Sequence, residues 1–158
     1  MIKTTVTGIS GTIAQLRREL MQFAQDNHVT VGIHRDAGQH PDAGISNAEL
    51  GAIHEFGADT VGIPARPWLS PGVNSGNEEY LKIIENTIAN GEPIKQGLER
   101  VGLVAVGKVQ KYMTELRTPA NAPSTIKRKG SSNPLIDTGA LRASVTYKVT
   151  STKPTEGL

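Results

Sequence analysis

The residues whose types best suit metal chemistry are three histidines at six-residue intervals, His28, His34 and His40. Imidazoles with nearby carboxylates can bind zinc, but ligands spaced this way meet only if their segment folds back on itself. We therefore interpret them as surface and loop histidines, and we predict no metal site and no cofactor. A fourth histidine, in His54-Glu55, lacks the second histidine four residues later that a zinc-protease helix requires.

Motifs for covalent or phosphoryl chemistry are also absent from the sequence. It contains neither the Gly-x-Ser-x-Gly turn of serine hydrolases nor a complete Gly-x-x-x-x-Gly-Lys-Ser/Thr phosphate loop. Serine, histidine and aspartate occur, but no pattern brings them together as a triad. We predict that the protein is not an enzyme. The alternative is a metal-dependent hydrolase that uses the histidine segment, and a metal analysis would decide between the two.

The charge balance argues against general nucleic-acid binding. Seventeen Lys and Arg residues against 15 Asp and Glu residues give a formal net charge of +2, whereas a nucleic-acid-binding domain usually carries a strong basic excess. The one basic cluster is Lys127-Arg128-Lys129. It is either a solvated loop or an arm that contacts DNA phosphates in a channel or an acidic partner.

Length and composition indicate one small domain. The 158 residues suit a single core, and we assign residues 1–150 to it and 151–158 to a flexible tail. The hydrophobic fraction of 37% fits either a plain small domain or a subunit that neighbours stabilise. The chain has no cysteine, which excludes disulfides. The first residues of the sequence carry no apolar signal core, and no apolar run is near the roughly 20 residues of a membrane span, so we expect synthesis in the cytoplasm.

A second kind of site is an interface with a partner protein. Arg66 and Trp68 stand among prolines in a segment predicted to be stiff and extended. Arginine and tryptophan dominate the binding energy of many interfaces. Trp68 and Leu69 would equally close the core over the next helix, and both roles can hold together.

Capping residues and apolar spacing locate the elements. Ser46 and Glu49 form a capping box, Ser75 and Glu78 a second one, and Asp137 and Thr138 mark a further helix start. We predict strands at 2–9, 29–33 and 145–149; helices from Ser10, Ser46, Ser75, Pro93 and Thr138; an extended segment at 58–70; and loops at 34–44 and 117–134, the second with a single turn at 124–128.

These elements predict an α+β fold, in which a small, mostly antiparallel sheet packs against two central helices connected to long loops. The first central helix is predicted to bury Leu81, Ile84 and Ile88. The second carries an apolar stripe from Ile94 to Leu116 at three- and four-residue spacing. Its three internal glycines indicate close approach to another helix or merely a tolerated weakness; they are Gly97, Gly102 and Gly107.

Two longer motifs resemble a known family. The first is Gly51-Ala-Ile-His-Glu-Phe-Gly57 followed by Ile63-Pro-Ala-Arg-Pro-Trp68, and the second is Pro134-Leu-Ile-Asp-Thr-Gly-Ala-Leu-Arg-Ala-Ser144. In this order, with two helices between them, they resemble the paired signatures of the virion morphogenesis, or tail completion, proteins of tailed bacteriophages. The resemblance covers about residues 45–149. Trp68 stands where the family usually has phenylalanine.

The resemblance implies a structural virion protein, made in the host cytoplasm, that forms a ring in the neck, commonly a hexamer. Such a ring completes the tail and joins it to the head connector or adaptor. The subunit contacts would come from His54, Glu55, Phe56, Arg66, Trp68 and Leu69, and Lys127, Arg128 and Lys129 would face packaged DNA or an acidic partner. Two alternatives stay open: a tail terminator ring that caps the tail tube, and a nucleic-acid-binding regulator encoded in a prophage.

Overall fold

The computed structural model describes Arg18, residues 27–42 and residues 44–151. The strand predicted at 2–9, the helix predicted from Ser10 and most of the predicted tail lie outside the described residues. Within them, the fold is α+β, as predicted.

The sheet joins two distant segments. Strand β1 (His28–Gly32) pairs antiparallel with strand β2 (Thr146–Thr150), so that His28 lies opposite Thr150 and Gly32 opposite Thr146. Both strands are rich in valine and threonine, whose branched side chains suit a pleated surface. The predicted strands at 29–33 and 145–149 are therefore confirmed to within one residue at each end.

Six α-helices lie between these strands: α1 (Asn47–Phe56), α2 (Leu69–Asn74), α3 (Asn77–Ala89), α4 (Ile94–Glu115), α5 (Pro123–Lys129) and α6 (Ala140–Ala143). Short 3-10 turns occur at Arg35–Ala37 and Asp59–Val61. Helix α4 is central, because α2, α3 and both strands pack against it. None of the helices that the structure describes is both long and apolar enough to cross a membrane.

The core is mainly aliphatic and gathers around the second half of α4. Its buried members come from α4, from the segment before α2 and from the region between α5 and β2; they are Trp68, Val109, Met113, Leu116, Leu135, Leu141 and Val145. Gly72 of α2 lies so close to α4 that a Cβ added there would be 2.9 Å from the Val109 Cα. The backbones of α2 and α4 are therefore almost in contact.

The predicted second capping box is wrong. Ser75 ends α2 and its hydroxyl donates to the carbonyl of Gly72, 2.6 Å away, while Gly76 occupies the N-cap of α3. The extended segment also ends earlier than predicted, at Trp68. Helix α2 contains Pro71, but this proline lies in the first turn, where its missing N–H has no helical partner in any case.

The buried face of α3 differs from the predicted one. Leu81 is 64% exposed, and the fully buried residue is Thr87. The inward face has helical spacing and consists of Tyr80, Ile83, Ile84, Thr87 and Ile88. Thr87 is polar, but its hydroxyl donates to the carbonyl of Ile83 at 2.7 Å, so its burial leaves no unpaired donor.

The glycines of α4 divide into two classes. A Cβ at Gly97 would lie 2.8 Å from the Thr87 hydroxyl of α3, and one at Gly102 would overlap the Tyr147 ring of β2. Close approach to another helix is therefore confirmed at Gly97, whereas Gly102 makes room for a side chain of the sheet. A Cβ at Gly107 would meet nothing within 4 Å, so this glycine fits the alternative of tolerated weakness.

The region after α4 begins with a helix that was not predicted, and its second helix is shorter than predicted. Helix α5 replaces the predicted single turn. Helix α6 has Gly139, which has no side chain to cap the helix, at its N-cap, and Thr138 Oγ1 accepts the amide of Ala140 at 3.2 Å. The cap assigned to Asp137 is wrong, since this exposed residue lies two positions before the N-cap.

The capping box of α1 is confirmed. The Ser46 hydroxyl accepts the Glu49 amide at 3.1 Å, and Glu49 Oε2 accepts the Ser46 amide at 2.8 Å. Two otherwise unpaired amides of the first turn are thereby satisfied by residues three positions apart.

Candidate functional site

The first motif is held together by the carboxylate of Glu55, near the end of α1. Its Oε2 atom accepts the amides of Trp68 at 2.7 Å and Leu69 at 2.9 Å. These are the amides of the N-cap residue and of the first residue of α2, so a buried carboxylate caps this helix from another element. A negative charge at a helix N-terminus also interacts favourably with the helix dipole.

Trp68 fixes the same motif from its other side. The residue is 2% exposed, and its indole Nε1 donates to the carbonyl of Gly51 at 3.0 Å. A Cβ at Gly51 would lie 3.2 Å from the Trp68 ring and 3.0 Å from Ile33. Glycine at position 51 therefore lets the indole lie directly against α1.

Gly57 allows the chain to return along the end of α1. Its φ of 78° lies in the region that favours glycine. A Cβ there would be 2.7 Å from the Ala65 backbone nitrogen, and the Arg66 amide donates to the His54 carbonyl at 2.7 Å. The His-Glu-Phe-Gly and Ile-Pro-Ala-Arg-Pro-Trp parts of the motif are thus bonded to each other.

Arg66 connects this motif to the chain before α5. Its Nε donates to the Pro119 carbonyl at 2.8 Å, and its Nη2 donates to the Ala120 carbonyl at 3.0 Å and to Asn121 Oδ1 at 3.4 Å. The side chain is buried and forms no ion pair with any residue that the structure describes. Burial lowers the pKa of Arg66 from its ordinary value.

The second motif is anchored by a residue just before it. Asn133 Oδ1 accepts the amides of Leu135 and Ile136 at 3.0 and 3.1 Å, and its Nδ2 donates to the Thr114 carbonyl of α4 at 2.8 Å. Leu135 and Leu141 then enter the core cluster that contains Trp68. The two motifs, far apart in sequence, therefore share one core.

Three residues of the predicted interface are buried, which contradicts that part of the prediction. Glu55, Arg66 and Trp68 are buried within the chain and bonded to its own backbone. Their prediction as direct contacts to a neighbouring subunit is wrong, because these side chains have almost no surface to offer. His54 and Leu69 are half-buried.

Phe56 is the member of the predicted interface that is largely exposed, at 57%. Val61, in the following 3-10 turn, is 69% exposed and is the next large apolar side chain exposed along this segment. Val61 was not predicted from the sequence, because a single valine in a glycine-rich stretch carries no periodic signal.

The basic cluster occupies the last turn of α5 and divides in two. Lys127 and Arg128 are exposed, whereas Lys129 is half-buried and its Nζ donates to the Asn133 carbonyl at 3.1 Å. Burial lowers the pKa of Lys129, and the nearby Arg66 and Arg128 lower it further, against the opposing effect of Asp137. Two cations of the predicted cluster are thus available to a ligand, and the third supports the second motif.

The histidine segment is bonded to the sheet. His34 Nε2 lies 3.0 Å from the Thr30 hydroxyl and its Nδ1 lies 2.9 Å from the Thr146 hydroxyl, and the neighbouring Asp36 pairs with Lys148 at 2.6 Å. In residues 27–42 and 44–151, no three histidine, aspartate or glutamate side chains are placed to share a metal ion. The absence of a cofactor stays a prediction.

Two cavities meet at His54. One, of about 510 Å³, has both acidic and basic residues in its lining, among them Asp42, Asp137 and Arg128. The other, of about 520 Å³, lies between the 62–66 segment and the start of α5. His54 lines both, and its Nδ1 atom is buried without a hydrogen-bond partner in the described chain. Burial, followed by the charges of Arg66 and Lys129, lowers the pKa of His54 to about 4.

Comparison of the chain with protein-family models, with curated proteins and with solved structures found no match. The class of protein is therefore defined by the fold and the site alone. It is a small α+β domain in which two motifs form one buried junction.

Proposed function

We propose that this protein is a structural component of a tailed phage or prophage, forming a ring in the neck that completes the tail and joins it to the head connector. The proposal rests on the two motifs that resemble the tail completion family. The chain would be made in the host cytoplasm and act in the virion, with the head connector or adaptor and the tail terminator or tail tube as its partners.

The observation that carries the proposal is the shared core of the two motifs. Trp68 of the first motif and Leu135 and Leu141 of the second belong to one buried cluster on α4. Two unrelated chance resemblances would have no reason to meet in space. Two signatures inherited from one fold are expected to meet in space, because residues that build one junction must be present together.

The exposed segment at Phe56 and Val61 is the surface that we assign to contacts between ring subunits. It continues directly from the buried motif, so its position relative to the core is fixed by the Glu55 and Arg66 bonds. A head-to-tail ring needs such a rigid patch, because small errors in subunit angle prevent closure.

A phage lacking this gene provides the direct test of the function. We expect filled heads and separate tails of normal length in electron micrographs, and we expect them to join when the purified protein is added. Tails of abnormal length would instead identify a tail terminator. Intact infectious particles without the gene would overturn the virion assignment and favour the prophage regulator.

The ring surface has its own test with a matched control. Phe56→Ala removes an exposed aromatic side chain from the proposed interface, and Leu103→Ala removes a 65% exposed leucine from α4. We expect Phe56→Ala to weaken ring formation by at least about tenfold, as loss of an interface aromatic does, while Leu103→Ala leaves it unchanged. Analytical ultracentrifugation at several concentrations measures both, and equal effects would reject this surface.

A further inference from the structure

The cavity of about 520 Å³ beside Arg66 has an unusual set of polar side chains. His54, Arg66, Asn121, Thr125 and Arg128 line it, and none of the described residues in its lining is a carboxylate. Its volume lies in the range of small-molecule sites. Two arginines therefore line a cavity with no carboxylate in its described lining.

Arg66 retains unused hydrogen-bond donors at this cavity. A guanidinium group has five N–H donors, and the bonds of Arg66 to residues 119–121 use its Nε and Nη2 atoms. Neither donor of Nη1 has an acceptor among the described residues. Because three bonds hold the side chain in place, these two donors are pre-organised, and a ligand would not have to order them.

The rest of the cavity wall is rigid and electropositive. Asn121 is engaged on both sides, accepting from Arg66 and donating to the Asn133 carbonyl at 3.2 Å. The charges of Arg66 and Lys129 both lower the pKa of His54, which lines this cavity. Asp42 and Asp137 line the neighbouring cavity, which shares His54 and Arg128 with this one.

We propose that this cavity binds a phosphate group, as inorganic phosphate or as a phosphomonoester. Arg66 Nη1 and the Arg128 guanidinium would donate to its oxygens, and the Thr125 hydroxyl would donate to a third. Guanidinium groups bind phosphate and carboxylate alike, but two of them on different walls suit a tetrahedral anion better than a planar one. The volume exceeds that of a bare phosphate and leaves room for an ester group.

Titration calorimetry with inorganic phosphate, at constant low ionic strength, tests the proposal. Arg128→Gln removes one guanidinium, and because Arg128 is exposed the variant will fold. The matched control is Lys127→Gln, which removes the same charge one residue away, on a side chain that lines neither cavity. We expect Arg128→Gln to weaken phosphate binding by at least about tenfold and Lys127→Gln by less than about twofold.

A nucleoside monophosphate as a second probe distinguishes the two sources of the phosphate. Tighter binding than that of inorganic phosphate would indicate an ester as the ligand, and equal binding would indicate the phosphate group alone. No saturable binding of either probe, or equal losses in Arg128→Gln and Lys127→Gln, would overturn the proposal.

His54 provides an independent readout. A bound anion opposes the positive charges beside this imidazole, so phosphate is expected to raise the pKa of His54, measured by NMR titration. Binding that left this pKa unmoved would place the anion elsewhere and overturn the assignment. The inference does not rest on the phage assignment, because it is measured on the purified chain alone.

Discussion

The carboxylate of Glu55 is the single group on which the first motif depends most. Glu55→Ala would remove the acceptor of two amides, that of the buried Trp68 and that of the half-buried Leu69. An unsatisfied buried amide costs about 1–3 kcal/mol. The nearby solvent can satisfy part of this loss, so we expect Glu55→Ala to lower the free energy of unfolding by about 3 kcal/mol.

Glu55→Gln sharpens this prediction, because both bonds end on one oxygen, Oε2. The amide oxygen of glutamine can occupy that position and accept both hydrogens, although it loses the charge that strengthens them. We expect a destabilisation of about 1 kcal/mol for Glu55→Gln. Glu99→Ala, on the exposed face of α4, is the control and should change stability by less than about 0.5 kcal/mol.

Equilibrium unfolding in urea measures all three variants. Trp68 is the only tryptophan of the chain and lies at the bonded site, so its fluorescence reports this junction directly. Circular dichroism reports the helices for comparison. If Glu55→Ala were no more harmful than Glu99→Ala, the capping of α2 by Glu55 would contribute nothing to stability. If Glu55→Gln were as harmful as Glu55→Ala, charge rather than acceptor geometry would explain the effect.

Three further predictions concern positions where packing or charge is tight. Gly97→Ala would place a Cβ 2.8 Å from the Thr87 hydroxyl and should destabilise the fold by about 1–3 kcal/mol. The Cβ of Gly107→Ala meets nothing within 4 Å, so this variant should stabilise the fold by up to about 1 kcal/mol. Thermal melting temperatures that shift the same way for both variants would contradict the packing argument. Gly57→Ala and Gly62→Ala both introduce a side chain at positive φ, but only the Cβ at position 57 meets backbone atoms within 3 Å. Gly57→Ala should therefore lose more stability than Gly62→Ala, by about 1 kcal/mol or more. Equal losses in urea unfolding would leave the positive φ as the sole cause. The pKa of His54 is lowered to about 4 in the fold, so between pH 4 and 6.5 the unfolded chain binds more protons at this residue than the folded chain does. The contribution of neutral His54 to stability is therefore complete above about pH 6.5 and is lost as pH falls towards 4, by at most about 3 kcal/mol. His54→Gln should flatten this pH dependence of the urea midpoint, and an unchanged slope would rule His54 out as its source.

Sequence patterns predicted well those elements whose hydrogen bonds join residues close together in the sequence. The capping box of Ser46 and Glu49 involves residues three positions apart, so its partners are visible in the sequence. The stripe of α4 was likewise predicted because helical spacing repeats over many turns, and Leu98, Val101, Ala105 and Val109 are buried as expected. The two strands of the described sheet were predicted from their β-branched residues, whereas their pairing with each other was not, because three strands were predicted and sequence alone does not choose among them.

The site was harder to predict because its bonds are not local. Glu55 accepts from amides thirteen and fourteen residues later, across a turn, and a glutamate at the end of an amphipathic helix has the sequence signature of an exposed residue. Arg66 and Trp68 were recognised as important from their types, but residue type does not tell whether a side chain faces a partner or its own core. Helix α2 was missed because three prolines in its neighbourhood favour an extended chain.

The pairing of β1 with β2 determines when the fold can be completed. Helices α3 and α4 are joined by a short turn and can form early, because contacts close in sequence need little loop closure. The strand pair joins His28 to Thr150, almost the full length of the described chain, and Tyr147 covers Gly102 only once β2 has docked. During synthesis, β1 must wait for the last strand to leave the ribosome. A ribosome that stalls before Thr146 therefore leaves β1 without β2, its partner among the described residues, and strands with unpaired edges can pair with other chains and aggregate.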